Sequence, residues 1–347
     1  MSTDAYRQII AAPPRDRLDL FLATANRIGA PVGNVEKDFW VCWTLNALYH
    51  ERPAGEPRLL FKGGTSLSKG YDLIKRFSED IDVTVFRDDL EEPASVEELE
   101  ALSNKKRRAK LDAIRDACRA YISGPLREFL AAQLADVTNG IGRVEIDEAD
   151  PDGQTLLLWY PEVEPRDGAY VRPAIRLESG AKSALDPHRP ITITPYVAEE
   201  AAGIDFAVSD VTTIEATRTF WDKVVIAHGL RRWYERRGEL RQEGQRVSRH
   251  YYDLHCLLQS ETGKSALADL DLGADCVRHA RMFFDRPDYD LASAVPGSFA
   301  VAPAPKMVDA LARDYINTTA MIFGTAPSIE EILSSAAGIE KNINDRA

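Results

Sequence analysis

Two carboxylates two residues apart, Asp80 and Asp82, follow a glycine pair, Gly63-Gly64, in the stretch FKGGTSLSKGYDLIKRFSEDIDVTVF at residues 61–86. Those types at that spacing point to phosphate and metal chemistry. From Ser78 to Phe86 the residues alternate, so a strand would project Asp80 and Asp82 from one face and Ile81, Val83 and Val85 from the other. Like charges so placed repel unless a cation lies between them, and hard divalent ions such as Mg2+ or Mn2+ take carboxylate oxygens. Upstream, Arg58 to Phe61 reads as a buried strand. It runs into Lys62, Gly63, Gly64, Thr65 and Ser66 and then a helical pattern with Leu67, Tyr71 and Ile74. Strand, glycine turn and helix start together form an anion site, because glycine lets the backbone approach and free N–H groups face the ligand. A lone Gly-Gly-Thr often only turns the chain. The acids on the following strand give it chemical weight.

The elements that must hold these residues belong to a chain of 347 residues, 44% hydrophobic and 8% aromatic. That is enough for a full core and two lobes. No apolar run reaches the ~20 residues of a membrane span. The start, MSTDAYRQII, lacks the pattern of a signal peptide, so the default placement is cytoplasmic. Cys42, Cys118, Cys256 and Cys276 stand far apart without a CxxC pair and read as buried free thiols. Six histidines lack ligand spacing, which leaves a zinc site unsupported.

Arg15 to Ile28 has the spacing of an amphipathic helix started by Pro13-Pro14, and Gly29 to Gly33 reads as a turn. A second helix is expected over Val35 to Tyr49. Its charges Glu36, Lys37 and Asp38 are either ordinary helix-start charges or groups reaching into the site. Residues 91–137 read as a helical insertion. Thr155 to Tyr160, Tyr170 to Glu178 and Ile191 to Tyr196 read as strands, with turns at Pro151 to Gly153 and Pro165 to Gly168. On the second of these, Arg172, Ala174, Arg176 and Glu178 share a face. Beyond Asp210 the pattern turns helical, at about 214–237, 247–260, 265–284, 305–321 and 328–343. The domain reading is a catalytic lobe at 1–210 and a helical lobe at 211–347.

The chain resembles the nucleotidyltransferase superfamily in its Gly-Gly-Thr followed by Asp-x-Asp. More specifically it resembles the AbiEii-type nucleotidyltransferase toxins and their MenT relatives, which belong to type IV toxin–antitoxin systems. Glu36-Lys37-Asp38-Phe39, Phe220-Trp221-Asp222-Lys223, Arg249-His250-Tyr251-Tyr252-Asp253-Leu254, and Asp314-Tyr315 with Met321-Ile322-Phe323-Gly324 carry the likeness over about residues 34–340. The resemblance implies an α+β fold: a nucleotidyltransferase-type lobe with a small mixed sheet flanked by helices, and a helical C-terminal lobe. It implies a metal site completed by a third carboxylate, for which Glu178 is best placed, although Arg176 could instead neutralise Glu178 in a plain surface pair. Lys223 is implicated at the active site, where an ammonium can neutralise triphosphate charge. Asp253 would orient Lys223 or the nucleotide.

The nucleotide-binding set is then Lys62, Gly63, Gly64, Thr65, Ser66, Ser78 and Lys223, and the metal set is Asp80, Asp82 and Glu178. The activity implied is transfer of a nucleoside monophosphate from an NTP to an acceptor hydroxyl. The family's acceptor is the 3′ end of tRNA, and a cognate antitoxin is expected as partner. A protein or small-molecule acceptor, or a non-enzymatic nucleotide- or partner-binding module, is the alternative.

The net charge of -12 argues against coating nucleic acid by bulk electrostatics. Charge is uneven, however. Asp88 to Glu100 holds seven acids and no base, whereas Lys105 to Lys110 is a basic run and Arg218 to His250 holds nine Lys or Arg against four acids. Either basic stretch is a solvated helix face or a phosphate-binding surface for an RNA stem. Ser78, two residues before Asp80, is either a cap or a place where a phosphate would add negative charge beside the metal site.

Overall fold

The computed structural model describes residues 2–163, 173–241 and 246–347. The turn expected at Pro165 to Gly168, the start of the strand expected from Tyr170, and Arg172 lie outside the described residues. The chain forms two compact units. The first comprises Met1–Gly70, Phe77–Ala94 and Asn104–Thr213, and the second Tyr71–Arg76, Ser95–Ser103 and Ile214–Ala347.

The first unit is built on one mixed sheet of seven strands: β1 (Leu59–Lys62), β2 (Asp80–Val85), β3 (Arg143–Ile146), β4 (Thr155–Trp159), β5 (Ala174–Gly180), β6 (His188–Ile193) and β7 (Val208–Ile214), in the order β3-β4-β5-β2-β1-β7-β6. β2 lies at the centre, antiparallel to β1 and parallel to β5. Its apolar face is sealed, with Ile81, Val83 and Val85 fully buried. That burial specifies register, because a one-residue slip would move all three out and both aspartates in. Helices cover the sheet. Pro14–Ile28 ends on Gly29, whose φ of 65° closes the last turn by donating its N–H to the Ala25 carbonyl. In the helix Val32–Asn46, Phe39 and Trp40 are buried in an aromatic cluster with Tyr6, Phe21, Phe206 and Tyr160.

Several elements depart from the sequence reading. The helix expected from Val35 begins at Val32, so Gly33 lies inside it. The helical pattern through Leu67, Tyr71 and Ile74 stops at Gly70, after the turns Gly63–Thr65 and Ser66–Gly70. The strand expected at Ile191 to Tyr196 runs from His188 to Ile193, and a helical turn, Tyr196–Glu199, follows. β3 and β7 were not expected from the pattern, nor was the first helix, Ser2–Ala11.

The second unit packs helices on the buried face of Ala216–Arg237, where Phe220, Trp221, Val224 and Ala227 are covered. The single helix expected at 265–284 is two, Glu261–Ala268 and Leu270–Phe283. Asp269 breaks it: its carboxylate accepts the Leu272 N–H at 2.9 Å and caps the second helix. Helices Arg249–Gln259, Pro305–Thr319 and Ile329–Asn344 complete the unit. The short segment Tyr71–Arg76 is tied to it by an antiparallel bridge between Arg76 and Ile322 and by the Phe323 N–H donating to the Lys75 carbonyl at 2.8 Å. No helix among the described residues is long and apolar enough to cross a membrane. All four cysteines are free thiols, and Cys42, Cys118 and Cys276 are buried.

Candidate active site

In the first unit, β2 carries Asp80 and Asp82 half-buried on the face opposite the sealed one. Register brings in their neighbours: Asp82 pairs with Lys62 on β1 and with Glu178 on β5, and Asp80 pairs with Arg176. Glu178 therefore stands on the adjacent strand beside Asp82, on the same face. Lys62 Nζ lies 3.9 Å from Asp82 Oδ1.

The glycine turn abuts these acids. Gly63 has a φ of 80°, and a Cβ on it would fall 2.0 Å from Asp82 Oδ2. Both its left-handed backbone and the carboxylate pressed against it demand glycine. Thr65 and Ser66 are fully buried. The Thr65 hydroxyl donates to the Asp80 carbonyl and is hydrogen-bonded to the Ser78 hydroxyl at 2.8 Å, and the Ser66 hydroxyl donates to the Gly63 carbonyl at 2.9 Å. These hydroxyls brace the turn against the start of β2, and Ser78 is part of that brace.

Glu36, Lys37 and Asp38 are buried in the second turn of their helix, not exposed in its first. This corrects their reading as helix-start charges. Lys37 Nζ contacts Glu79 at 2.8 Å, next to Asp80. Asp38 holds Lys69, at the end of the glycine turn, at 2.8 Å, and also accepts the Tyr196 N–H at 2.7 Å. The Lys69 ammonium lies 3.6 Å from the centre of the Tyr196 ring. Glu79 and Lys69 are absent from the sequence-predicted site. The only signals for them are a charge adjacent to Asp80 and a lysine one turn after the glycines.

Burial pushes the Asp80 carboxyl up, with repulsion from Glu79 and Asp82 adding to it and Lys37 and Arg176 opposing. A carboxyl held back from ionising at Asp80, with Asp82 beside it on the same face, offers hard oxygens that fit a divalent cation. Glu178 is half-exposed and paired with Arg176, which also contacts Asp147 at 3.0 Å. Among the described residues no three His, Cys, Asp or Glu side chains form a ready metal cluster. Asp80 and Asp82 are the natural pair to hold an ion, and Glu178 could join only by leaving Arg176.

In the second unit, Lys223 is buried beside the apolar stripe of Ala216–Arg237, where such a lysine is ordinarily solvated. Its Nζ lies 2.7 Å from Asp253 Oδ2, and Asp253, on Arg249–Gln259, is completely inaccessible. Arg76 takes the same carboxylate with both arms of its guanidinium, Nε to Oδ1 at 2.8 Å and Nη2 to Oδ2 at 2.9 Å. Burial alone would raise the Asp253 carboxyl, but Arg76 and Lys223 outweigh it and hold it well below the usual range. Burial lowers the Lys223 ammonium, against the attraction of Asp253, and Arg76 and Arg249 lower it further. Sequence reasoning misses Arg76, since one arginine before a strand carries no pattern.

The basic stretches divide. Arg231 bonds the Ala302 carbonyl at 2.6 Å, Arg232 pairs with Glu235 at 3.0 Å, and Arg237 pairs with Asp288 at 2.5 Å. Arg236 bonds the Pro287 carbonyl. All four thus serve contacts inside their own unit. On Asn104–Tyr121, Lys105, Lys106 and Arg108 are exposed, as are Arg236 and Arg237 in the second stretch.

Residues 46–335 match the family described as "Nucleotidyl transferase AbiEii toxin, Type IV TA system". Among solved structures, the chain is similar to MenT4, a nucleotidyltransferase toxin from Mycobacterium tuberculosis H37Rv, at 15% identity and a TM-score of 0.50, over 94% of this chain and 89% of that one. No curated protein sequence matches.

Proposed function

The chain belongs to the AbiEii family of nucleotidyl transferase toxins, and from that premise we propose that it moves a nucleoside monophosphate from an NTP to the 3′ end of a tRNA, in the cytoplasm and with Mg2+. Membership in a toxin–antitoxin family implies a cognate antitoxin as partner. Residues 1–210 are taken as the catalytic lobe and 211–347 as the helical lobe, with Tyr71–Arg76 and Ser95–Ser103 belonging to the second unit. The observation that best supports the reading is the register of β2 with β5, which aligns Glu178 with Asp82 on the face that carries Asp80, beside Gly63.

Asp80 and Asp82, with Glu178 released from Arg176, would hold the cation. When bound, it would neutralise the triphosphate and lower the pKa of the attacking hydroxyl. The Gly63 turn, braced by Thr65, Ser66 and Ser78, presents backbone to the phosphates. Lys62 offers positive charge to them, and the family resemblance gives Lys223 the role of neutralising triphosphate charge. The acceptor hydroxyl attacks the α-phosphorus, its proton leaves to solvent or a carboxylate, and pyrophosphate departs. Positioning and charge neutralisation supply most of the rate. For an RNA acceptor, the exposed cations Lys105 and Arg108 suit a phosphate backbone better than Arg231, Arg232, Arg236 and Arg237, which are engaged within their own unit.

The test is incubation of labelled NTPs with total RNA and with cell protein, alongside Asp80→Ala. Label in small RNA that Asp80→Ala abolishes, with its fold intact by circular dichroism, is the expected result. Label in protein alone would move the acceptor to protein, and undiminished transfer by Asp80→Ala would remove Asp80 from the site.

A further inference from the structure

Within the helical unit, one carboxylate serves two cations. Asp253 Oδ2 receives both Lys223 Nζ, at 2.7 Å, and Arg76 Nη2, at 2.9 Å, while Arg76 Nε takes Oδ1 at 2.8 Å. Asp253 is completely inaccessible, and Arg76 and Lys223 are almost so, so water does little to screen the three charges. Had Asp253 faced Lys223 alone, the two would form a neutral pair, and an incoming phosphate would have to break it. With Arg76 present, the three groups carry a net positive charge, to which Arg249 adds.

We propose that Arg76 is a positioning residue of the nucleotidyl-transfer site: by gripping both oxygens of Asp253 it shares that carboxylate's charge with Lys223 and leaves the Lys223 ammonium with positive charge to offer an incoming phosphate. The inference rests on the reading of Lys223 as a group that meets the triphosphate. Asp253 is then an anchor. With both oxygens occupied by cations and its carboxyl held deprotonated, it is a poor proton acceptor.

The backbone is arranged to keep Arg76 in place. Its segment is tied by the bridge to Ile322, by the Phe323 N–H on the Lys75 carbonyl at 2.8 Å, and by the Tyr71 hydroxyl on the Ile214 carbonyl at 2.9 Å. A lysine at 76 would keep the charge but lose the planar fork that spans both oxygens. Among the described residues, the charged and titratable groups that act on Lys223 are Asp253, Arg249 and His250 on Arg249–Gln259, and Arg76. Burial keeps His250 neutral, reinforced by Lys223 and Arg249. Among these, Arg76 is the one whose removal hands Asp253 entirely to Lys223.

The test uses the full chain with Lys side chains labelled with 13C at Cε, the Lys223 resonance being assigned through Lys223→Arg. In Arg76→Gln, the Lys223 titration midpoint is expected to rise by about one pH unit or more. The alkaline limb of nucleotide transfer should rise with it, while the rate at neutral pH falls by about 10²-fold. Arg76→Lys should leave the midpoint near its wild-type value and still lose rate. An unmoved midpoint in Arg76→Gln, or a reduced rate with an unmoved limb, would reduce Arg76 to a structural role. If Arg76→Gln does not fold, a wild-type rate in Arg76→Lys overturns the need for the two-armed grip. A midpoint that moves in a protein that transfers no nucleotide from any NTP would sustain the charge-sharing geometry and fell the nucleotidyl-transfer reading instead.

Discussion

Asp80 and Asp253 are both carboxylates on regular elements, yet burial and adjacent acids outweigh the cations Lys37 and Arg176 at the first, whereas cations outweigh burial at the second. Asp80 is flanked by Glu79 and Asp82, half-buried, and pushed up in pKa by burial and by those neighbours. Asp253 is fully buried, gripped by Arg76 and Lys223, and held far down. The first arrangement stores repulsion that a bound cation would relieve; the second is already satisfied and would gain nothing from one. A carboxylate kept short of partners is fitted to take a ligand, and one with both oxygens gripped by buried cations is fitted to hold its neighbours still.

The largest expected difference is in stability. Asp253→Ala leaves Arg76 and Lys223 buried without their counter-charge and should cost ~3–5 kcal/mol in denaturant unfolding. Asp82→Ala removes a repelled, partly exposed carboxylate and should stay within ~0.5 kcal/mol of wild type while losing nucleotide transfer. Equal losses in the two variants would erase the distinction. Next in size is Gly63→Ala. The left-handed backbone alone should cost ~1–3 kcal/mol, and the new methyl would collide with Asp82 Oδ2. Combining it with Asp82→Gly should return the part of that loss owed to the collision. A double variant no more stable than Gly63→Ala would mean that Asp82 moves aside without cost.

How far these two regions can be read from the chain follows from their geometry. A strand repeats every two residues, so alternation in Ser78 to Phe86 identifies the sealed and acid faces, and the register in the sheet agrees with it. β3 is missed because all four of its residues are at least partly exposed, so it has no buried face to mark it. β7 is missed because Asp210, at a φ of 54°, interrupts its pattern. Glu178 is reachable by alternation on its own strand, but its pairing with Arg176 depends on side-chain placement. Lys223 and Asp253 are suggested by resemblance, since a lysine beside an apolar stripe is ordinarily solvated. Arg76 is invisible, because its meaning lies in a contact 177 residues away along the chain.

The smallest effect is the most direct test of what the stored repulsion is for. Asp80 has its carboxyl raised above the ordinary 3.8, so the folded chain binds that proton more tightly than the unfolded one. The ionised form therefore costs stability. The cost is absent below the unfolded value, grows as pH rises through the interval up to the folded value, and is full above it, so Asp80→Asn should be slightly more stable than wild type at neutral pH. If Asp80 holds the proposed cation, Mg2+ would bind the ionised form and should offset the cost by about 1.4 kcal/mol at ten times its dissociation constant. That gain should fade as pH falls through the raised Asp80 value and vanish in Asp80→Asn. Asp253 has the opposite sign: its stabilisation is present above the unfolded carboxyl value and lost only as pH falls toward its depressed folded one, with no contribution from Mg2+. Thermal unfolding with and without Mg2+ across that range separates the two carboxylates. A Mg2+ gain that persists unchanged in Asp80→Asn would show that the cation is held elsewhere and that repulsion at Asp80 serves only to strain β2.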